Sequence, residues 1–360
     1  MRIILTGGGT GGHVVPQIAI IEELGDKHDL LYIGSRTGIE KKLISDIKVP
    51  YKGIFTGKLR RYFSLQNILD FFKVPIGVVQ AFFIIKKFNP DIVFSKGGFV
   101  AFPVVYAASI LKKKIIIHES DLIPGLANKM MAKYADKILI TFKETREYFK
   151  SDHKLSKKVV VTGNPIRKSI LKGSSEKGLK FTDFTKEKPV LLVMGGSQGA
   201  AKINDLVFDN LDKLLEITQI VHLCGKGKIK KIEKKGYKQY EYLDKNLKNV
   251  YKITDLVVSR AGANSINEFL HLNLPSILIP LSLKASRGDQ IKNAIAFEKG
   301  NGSITLLEED ASNDRFFELI KGLITNPDKL KKMSENLKKM LPEDPTTKIV
   351  NIILNYQKND

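Results

Sequence analysis

Short apolar runs rich in β-branched residues recur along the chain, separated by stretches with helical periodicity. Most of these runs are apolar on both faces, which is typical of strands in a parallel sheet covered by helices. The runs that predict strands are Arg2–Thr6, Leu30–Ile33, Asp91–Ser95, Ile115–His118, Lys137–Thr141, Lys157–Thr162, Val190–Met194, Gln219–Cys224, Asp255–Ser259, Ser276–Pro280 and Ser303–Leu306. This alternation of strands and helices predicts a doubly wound α/β architecture.

A first strand that turns through glycines into a helix occurs twice. Arg2–Thr6 runs into GGGTGG at residues 7–12, and Val190–Met194 runs into GGSQG at residues 195–199. Between these two starts, residues 168–188 are polar, basic and glycine-bearing, which is typical of an interdomain linker or a boundary loop. The sequence therefore predicts two Rossmann-like domains with a cleft between them.

The composition indicates a folded protein with an excess of positive charge. Of 360 residues, 43% are hydrophobic and 27% charged, which suits two globular domains and excludes a largely disordered chain. The 59 Lys and Arg against 38 Asp and Glu give a net charge of +21. That excess favours an anionic partner, namely nucleic acid, a phosphate-rich substrate or an anionic lipid surface, although solvated surface lysines explain it equally well.

Neither a membrane span nor a disulfide framework is predicted. The apolar run of residues 74–85 is shorter than the roughly 20 residues that a membrane-crossing helix needs. The apolar start before Thr6 is too short for a signal peptide. The single cysteine, Cys224, excludes a disulfide framework and a cysteine zinc cage. We therefore expect a cytoplasmic protein.

The first glycine loop has the spacing of a phosphate-binding motif. Gly7, Gly9 and Gly12 form Gly-x-Gly-x-x-Gly directly after a strand, where loop amides and the helix dipole attract phosphate. A dinucleotide site also predicts an acidic residue at the end of the second strand, and none occurs there. Arg36 stands at that position instead and leaves an NADP oxidoreductase as an alternative.

Two histidines follow predicted strands of the first half. His13 comes directly after the first glycine loop, where a helix N-terminus favours the neutral, base-competent imidazole, although simple packing explains it too. His118 and Glu119 end another strand, where open α/β sheets place ligands. Glu119 could polarise an imidazole or bind a sugar hydroxyl, and an ordinary helix start is the alternative.

The second half carries polar clusters suited to a nucleotide sugar. SRAGANS at residues 259–265 leaves a strand, and Glu268 one turn later could bind a vicinal diol, or could close a capping box with Ser265. Residues 287–293 suit sugar hydroxyls or a solvated helix start. No Asp-x-Asp triple is present to chelate a divalent ion. A diphosphate leaving group would then be stabilised by helix N-termini, loop amides and Arg167.

Together these motifs resemble the MurG family of N-acetylglucosaminyltransferases, in order from residue 3 to about 300. The motifs are GGTGGH at 8–13 with Pro16, SKGG at 95–98, His118-Glu119, GNPIR at 163–167, GGSQGA at 195–200, SRAG at 259–262, Glu268 and DQxxN at 289–293. The resemblance implies a GT-B fold with two domains, residues 1–165 and 166–342. It also implies a C-terminal helix at about 343–358 that returns to the first domain. It also implies inverting transfer of GlcNAc from UDP-GlcNAc to the 4-hydroxyl of MurNAc-pentapeptide on undecaprenyl diphosphate, with neither metal nor cofactor.

The same resemblance implies site residues. Thr10, Gly11 and Gly12 would line the donor–acceptor cleft as part of the UDP-GlcNAc site. Arg167 and Ser197 would hold the donor diphosphate, and Glu268 would hold the ribose. Ala263, Asn264 and Ser265 would present backbone groups, Leu243 would lie near the uracil, and Gln290 would bind GlcNAc. Asp121 stands where many members have Asn, so a donor contact carried by that amide is in doubt. His13 is the first choice for general base and Glu119 the second, and the resemblance does not decide between them.

Residues 58–87 predict attachment to a membrane surface. One apolar stripe at helical spacing comprises Phe71, Val74, Val78, Phe82 and Ile85, and a second comprises Phe72, Ile76, Val79 and Phe83. The second stripe has no evident core partner, and Pro75 is expected to begin the helix. Basic residues surround it, namely Lys58, Arg60, Arg61, Lys73, Lys86 and Lys87. We expect Phe72, Val79, Phe83, Arg60 and Arg61 to contact anionic lipid at the cytoplasmic face of the plasma membrane, and a helix buried on both sides is the alternative.

Other functions remain open at this point. A GT-B transferase that glycosylates diacylglycerol shares the architecture and the membrane surface. A non-catalytic basic module would show steeply salt-dependent binding. Nucleic acid is not expected, because Trp is absent and the aromatic residues do not interleave with the basic runs. Membership of a cell-wall synthesis complex is a further expectation of the resemblance.

Overall fold

A computed structural model describes residues 1–57, 65–196, 199–341 and 343–356, and gives residues 65–71 by their backbone alone. The strands are β1 Arg2–Thr6, β2 Asp29–Ser35, β3 Tyr51–Ile54, β4 Ile92–Ser95, β5 Lys114–Glu119, β6 Lys137–Ile140, β7 Val159–Val161, β8 Val190–Met194, β9 Gln219–Leu223, β10 Tyr237–Tyr240, β11 Leu256–Ser259, β12 Ser276–Leu278 and β13 Ser303–Thr305.

The helices alternate with these strands along the chain. They are α1 Gly11–Leu24, α2 Ile39–Ser45, α3 Leu65–Phe88, α4 Ala101–Ile110, α5 Leu126–Ala132, α6 His153–Ser156, α7 Ser175–Thr182, α8 Ala201–Asp209, α9 Leu211–Ile217, α10 Leu247–Ile253, α11 Ala263–Leu272, α12 Asp289–Glu298, α13 Asn313–Ile324, α14 Pro327–Met340 and α15 Pro345–Asn355. Short 3₁₀ turns occur at Gly25–Lys27, Lys143–Phe149, Lys168–Leu171 and Glu308–Asp310.

The chain forms two compact units, Met1–Arg167 with Pro342–Asp360 and Lys168–Leu341. In the first, a seven-stranded sheet has the order β3-β2-β1-β4-β5-β6-β7, with all neighbouring strands parallel. In the second, a six-stranded parallel sheet has the order β10-β9-β8-β11-β12-β13. The predicted doubly wound α/β architecture is confirmed, and in each sheet the strand order reverses beside the first strand, where such folds bind ligands.

Burial on both faces explains why the strands read as continuous apolar runs. In β1, Ile4 packs into one core cluster, while Ile3 and Leu5 pack into another on the opposite face. This second cluster also contains Ile349 and Ile353 of α15, so the C-terminal helix packs against α1 in the first unit. Helices on both faces therefore exclude water from the interior strands of the sheet.

Three local expectations are corrected. Two strands were not predicted, β3 and β10, and each lies at the edge of its sheet with partly exposed, polar residues. Residues 168–188 are more than a loop, because they form α7, which packs on α10. Pro75 does not begin α3, which starts at Leu65. A proline inside a helix removes one backbone hydrogen bond, and α3 continues through it.

Candidate functional site at the carboxyl ends of two sheets

The first glycine loop joins β1 to α1 at the carboxyl edge of the first sheet. Two of its glycines serve the fold itself, because a Cβ at Gly8 would lie 2.6 Å from Glu40 and one at Gly9 would lie 2.4 Å from Phe99. A Cβ at Gly11 would meet nothing within 4 Å. Packing therefore does not explain Gly11, and the first turn of α1 has room for the close approach of a ligand.

The loop differs from a dinucleotide site in its surroundings. The buried carboxylate of Glu40 accepts hydrogen bonds from Gly9 N at 3.2 Å, from Ser35 N at 3.0 Å and from the Ser35 hydroxyl. The carboxylate nearest the end of β2 therefore binds the chain's own loop. Arg36, which left an NADP enzyme open, stacks its guanidinium 3.9 Å from the centre of the Phe55 ring.

His13 lies in the first turn of α1, half-buried, with a defined ring orientation. Its Nδ1 is 3.1 Å from the backbone carbonyl oxygen of Lys96. A carbonyl oxygen only accepts, so Nδ1 must carry the proton that forms this bond. In the neutral ring the lone pair then resides on Nε2, which makes Nε2 the basic atom.

His118, the second histidine, is fully buried and belongs to a different network. Its Nε2 donates to the Gly163 carbonyl at 2.9 Å, and its Nδ1 lies 2.7 Å from the Nζ of Lys96. Burial and the charge of Lys96 hold the pKa of His118 well below its usual range. The burial of this lysine was not recognised from the sequence, where Lys96 entered only as part of the SKGG motif at residues 95–98.

Glu119 ends β5 and organises the loop that follows. Its Oε1 accepts from Asp121 N at 3.0 Å, and its Oε2 accepts from Gly125 N at 2.9 Å and Asn128 Nδ2 at 2.8 Å. Helix α5 begins only at Leu126, so the alternative of a helix start at Glu119 is wrong. The carboxylate instead fixes the backbone around the half-buried Asp121.

In the second unit, the other glycine loop joins β8 to α8. Gly196 and Gly199 adopt left-handed φ of 82° and 67°, and a Cβ at Gly199 would lie 2.0 Å from the Cys224 carbonyl oxygen. Ser197 of this loop lies outside the described residues. Asn204 donates to that same carbonyl at 2.9 Å, which anchors α8 beside the loop.

The start of α11 presents its first turn at the carboxyl end of β11. Gly262 precedes the helix, and no side chain caps the helix N-terminus. The space beside Gly262 is open, because a Cβ there would meet nothing within 4 Å. Ala263 is buried, and Asn264 and Ser265 are half-buried. Backbone N–H groups of such a first turn suit an anion or polar ligand.

Glu268 is held by a tyrosine that the sequence did not single out. The buried Tyr251 donates its hydroxyl to Glu268 Oε2 at 2.8 Å. Since α11 begins at Ala263, Ser265 is not an N-cap, and the capping-box alternative for Glu268 is wrong. Tyr251 fixes the orientation of a half-buried carboxylate that can bind hydroxyl groups.

Gln290, at the start of α12, is oriented by the backbone. Leu281 N donates to Gln290 Oε1 at 3.2 Å, so the donor atom of that amide, Nε2, faces away from Leu281 N. The segment around Leu281 is fixed in turn by Arg260, which donates to Ile279 and Pro280 carbonyls and pairs with Glu308 at 2.6 Å.

Glu308 is the ion-pair partner of Arg260, and Leu243 and Arg167 are the remaining predicted site residues. Burial opposes ionisation of Glu308, yet its bonds from Arg260 and Ser282 lower its pKa overall. Leu243 is buried in the loop after β10. Arg167 ends the first unit near Glu22, where burial raises the Glu22 pKa and the Arg167 charge partly offsets the rise. Across the described parts of the chain, no group of three or more His, Cys, Asp or Glu side chains is arranged to hold a metal.

Helix α3 separates the two predicted apolar stripes. Ile85 is in the core, with Val78 and Phe82 packed against it. The exposed fractions of the second stripe are 62% for Phe72, 49% for Ile76, 55% for Val79 and 62% for Phe83. A helix buried on both sides is therefore excluded. Arg60 and Arg61 lie outside the described residues, and none of the described helices is both long and apolar enough to cross a membrane.

The fold and these loops match a known class of enzyme. The glycosyltransferase family 28 N-terminal domain matches residues 3–140, and the family's C-terminal domain matches residues 190–344. The fold is thus the GT-B fold. Two solved structures show the same fold, that of Acinetobacter baumannii MurG (TM-score 0.73, 21% identity, 98% of this chain and 99% of that chain) and of a Neisseria meningitidis UDP-GlcNAc 2-epimerase (TM-score 0.70, 15% identity, 100% of both).

Closer relatives define the family. A Bacillus cereus protein named UDP-N-acetylglucosamine–N-acetylmuramyl-(pentapeptide) pyrophosphoryl-undecaprenol N-acetylglucosamine transferase 2 is 47% identical over 343 residues, 94% of each chain. Proteins with the same enzyme name from Clostridium tetani and Lachnospira eligens are 48% identical over 93% of each chain and 46% identical over 99% of each chain, respectively. The chain belongs to this MurG family of glycosyltransferases, within glycosyltransferase family 28.

Proposed function

We propose that this protein transfers GlcNAc from UDP-GlcNAc to the 4-hydroxyl of MurNAc-pentapeptide carried on undecaprenyl diphosphate. The substrates follow from the names of relatives that share 46–48% of their residues with nearly the whole chain. The structural observation that carries the chemistry is the Nδ1 contact of His13 with the Lys96 carbonyl, which leaves Nε2 as the basic atom.

The reaction is a single displacement at the anomeric carbon. Nε2 of His13 removes the proton from the acceptor 4-hydroxyl while the oxygen attacks C1 of GlcNAc. The bond from C1 to the diphosphate oxygen breaks on the opposite face, UDP departs with the bonding electrons, and the configuration at C1 inverts. We assign the base to His13 rather than Glu119 because both Glu119 oxygens already accept hydrogen bonds from their own loop.

The second unit is proposed to bind the donor. Glu268, held by Tyr251, accepts from the ribose hydroxyls, and the first turn of α11 at Ala263, Asn264 and Ser265 presents its amides. The amide of Gln290 binds GlcNAc hydroxyls, Leu243 lies near the uracil, and Asp121 of the first unit can only accept from a sugar hydroxyl. Arg167 and Ser197 stabilise the departing diphosphate, in place of a divalent ion.

The first unit is proposed to bind the lipid acceptor at a membrane surface. The exposed stripe of α3 enters the headgroup region, and Lys73, Lys86 and Lys87 on the same helix attract anionic lipid. The acceptor's diphosphate then reaches the first turn of α1 beside Thr10, Gly11 and Gly12. Peripheral attachment to the cytoplasmic face follows, and association with a cell-wall synthesis complex stays a prediction.

A transfer assay tests the function. The full chain is incubated with radiolabelled UDP-GlcNAc and a muramoyl-pentapeptide diphosphoryl lipid in EDTA, with diacylglycerol as the competing acceptor. We expect label in the muramoyl lipid alone and undiminished rates in EDTA. Label in diacylglycerol would support the other GT-B transferase, and a strict requirement for magnesium or manganese would contradict the proposed stabilisation of the leaving group.

A further inference from the structure

Lys96, which directly follows β4, is the only buried lysine among the described residues, with 1% of its surface exposed, and its hydrogen-bond partners are far from it along the chain. Its Nζ lies 2.7 Å from His118 Nδ1, 2.6 Å from Ser120 Oγ and 2.6 Å from Asn164 Oδ1. An ammonium group has three N–H bonds, and each finds an acceptor. The side chain therefore joins the ends of β4 and β5 to the segment after β7.

The backbone of Lys96 extends this connection to the first glycine loop. Its N–H donates to the Thr6 carbonyl at 3.0 Å, at the end of β1. Its carbonyl accepts from His13 Nδ1 at 3.1 Å. One residue thus links four strand ends with the histidine proposed as general base.

The turn after Lys96 makes its anchoring consequential. Gly97 and Gly98 have left-handed φ of 87° and 83°, and two glycines in succession leave a chain with wide conformational freedom. Without an anchor, the direction of the residue 96 carbonyl would vary with that of the turn. The buried ammonium provides the anchor.

Burying this cation opposes folding. Desolvation lowers the pKa of Lys96 to about 7, although the charges of Glu119 and Asp121 act to raise it. A methionine or leucine would fill the same space without that penalty. The reason for a lysine here is therefore not its volume but its three hydrogen bonds, which tie the turn after β4 to two other segments.

We propose that Lys96 is a positioning residue for glycosyl transfer: its buried ammonium fixes the turn whose carbonyl holds His13 as the Nδ1–H tautomer, with Nε2 directed to the acceptor hydroxyl. The inference rests on the proposed function, since it assigns Lys96 to the base of that reaction. Lys96 touches no substrate in this account and acts through His13.

A double-mutant cycle tests whether Lys96 acts through His13. Lys96→Met keeps the length of the side chain and removes its charge and donors. We expect kcat to fall about 10- to 100-fold, within the range that general-base catalysis contributes, while the Kd for UDP-GlcNAc, measured calorimetrically, changes less than about twofold. In a His13→Gln background, Lys96→Met should lower kcat less than about twofold further.

Equal losses in the two backgrounds would overturn the proposal, as would an unchanged kcat. Lys158→Met is the matched control, since Lys158 is a partly buried lysine of the first unit whose Nζ donates to a backbone carbonyl, that of Ala135, at 2.6 Å. We expect that variant to retain the wild-type kcat. If Lys96→Met does not fold, Ser120→Ala removes a single acceptor of the ammonium and should lower kcat in the same direction by a smaller factor.

A second readout does not depend on transfer activity. Nitrogen NMR of histidine-labelled protein reports which ring nitrogen of His13 carries the proton, with His13→Gln identifying its signals. We expect a single Nδ1–H tautomer in the wild type and mixed tautomers in Lys96→Met. Mixed tautomers in the wild type would contradict the positioning role. A wild type with the expected tautomer but no GlcNAc transfer would contradict the proposed function instead.

Discussion

The exposed stripe of α3 offers the most quantitative prediction, the loss of membrane binding when its apolar side chains are removed. The change is the triple replacement Phe72→Ser, Val79→Ser and Phe83→Ser. These side chains expose 62%, 55% and 62% of their surface, so less than half of each is buried in the protein. Since they face away from the core packed by Val78 and Phe82, the substitutions should leave the fold intact.

The magnitude follows from the exposed fractions. Fully burying a Val or Phe side chain contributes about 1.5–3 kcal/mol, so the exposed parts of these three contribute about 1–2 kcal/mol each on entering a bilayer. Together they give about 4 kcal/mol, roughly a thousandfold in the partition coefficient. The lysines of α3 retain a weaker attraction of about 1 kcal/mol each near an anionic surface.

Sedimentation with vesicles of phosphatidylglycerol and phosphatidylcholine measures this loss. Tyr242→Ser with Leu283→Ser is the matched control, because these residues are 60% and 68% exposed but belong to the second unit. We expect the α3 variant to remain in the supernatant and the control to bind as the wild type does, with equal Kd for UDP-GlcNAc in all three. Undiminished vesicle binding by the α3 variant, or an equal loss in the control, would refute the reasoning.

Three further predictions concern the loops and the core. Gly11→Ala should leave the Tm unchanged or raise it, because the added Cβ meets nothing within 4 Å. The same Cβ should obstruct the ligand and lower kcat/KM at least about tenfold. An unchanged kcat/KM would contradict this prediction. Glu268→Gln keeps an acceptor for Tyr251 but weakens charge-assisted hydrogen bonds, so the Kd for UDP should rise about 10- to 100-fold. The Kd for 2′-deoxy-UDP should change little, and equal effects on both ligands would argue against a ribose contact. Burial lowers the pKa of His222 to about 4, so between that value and the unfolded value near 6.5 the unfolded chain binds more protons, and stability decreases as the pH is lowered. Lowering the pH from 7 to 5 should decrease the free energy of unfolding, measured with urea, by about 2 kcal/mol through this residue. In His222→Asn the decrease should be about 2 kcal/mol smaller, and equal decreases in the two proteins would refute the assignment.

The pattern of apolar runs predicted the interior strands because a strand buried on both faces carries an unmistakable signal. It failed for the edge strands, Tyr51–Ile54 and Tyr237–Tyr240, whose outer surfaces admit Lys and Gln. It also misplaced the start of α3, since a proline is as compatible with a helix interior supported by packing as with a first turn. Tertiary context decides both cases.

The glycine loops of the candidate site could be predicted from the sequence because glycines follow the strand ends, whereas side-chain contacts that depend on burial could not. Nothing in the order of residues shows that the Lys96 side chain turns inward, or that Glu119 accepts three hydrogen bonds from the loop and helix that follow it. Tyr251 is separated from Glu268 by a strand and a turn, so their contact emerges only in the folded unit. Such contacts depend on side-chain direction, which sequence periodicity does not specify.

The assignment of His13 as general base is tested most directly by comparing turnover with donor affinity in His13→Gln. A base acts in the transition state, so we expect kcat to fall about 10²- to 10⁴-fold while the Kd for UDP-GlcNAc stays within about twofold of the wild type. A kcat close to that of the wild type, or a donor affinity that falls in parallel with kcat, would contradict the account.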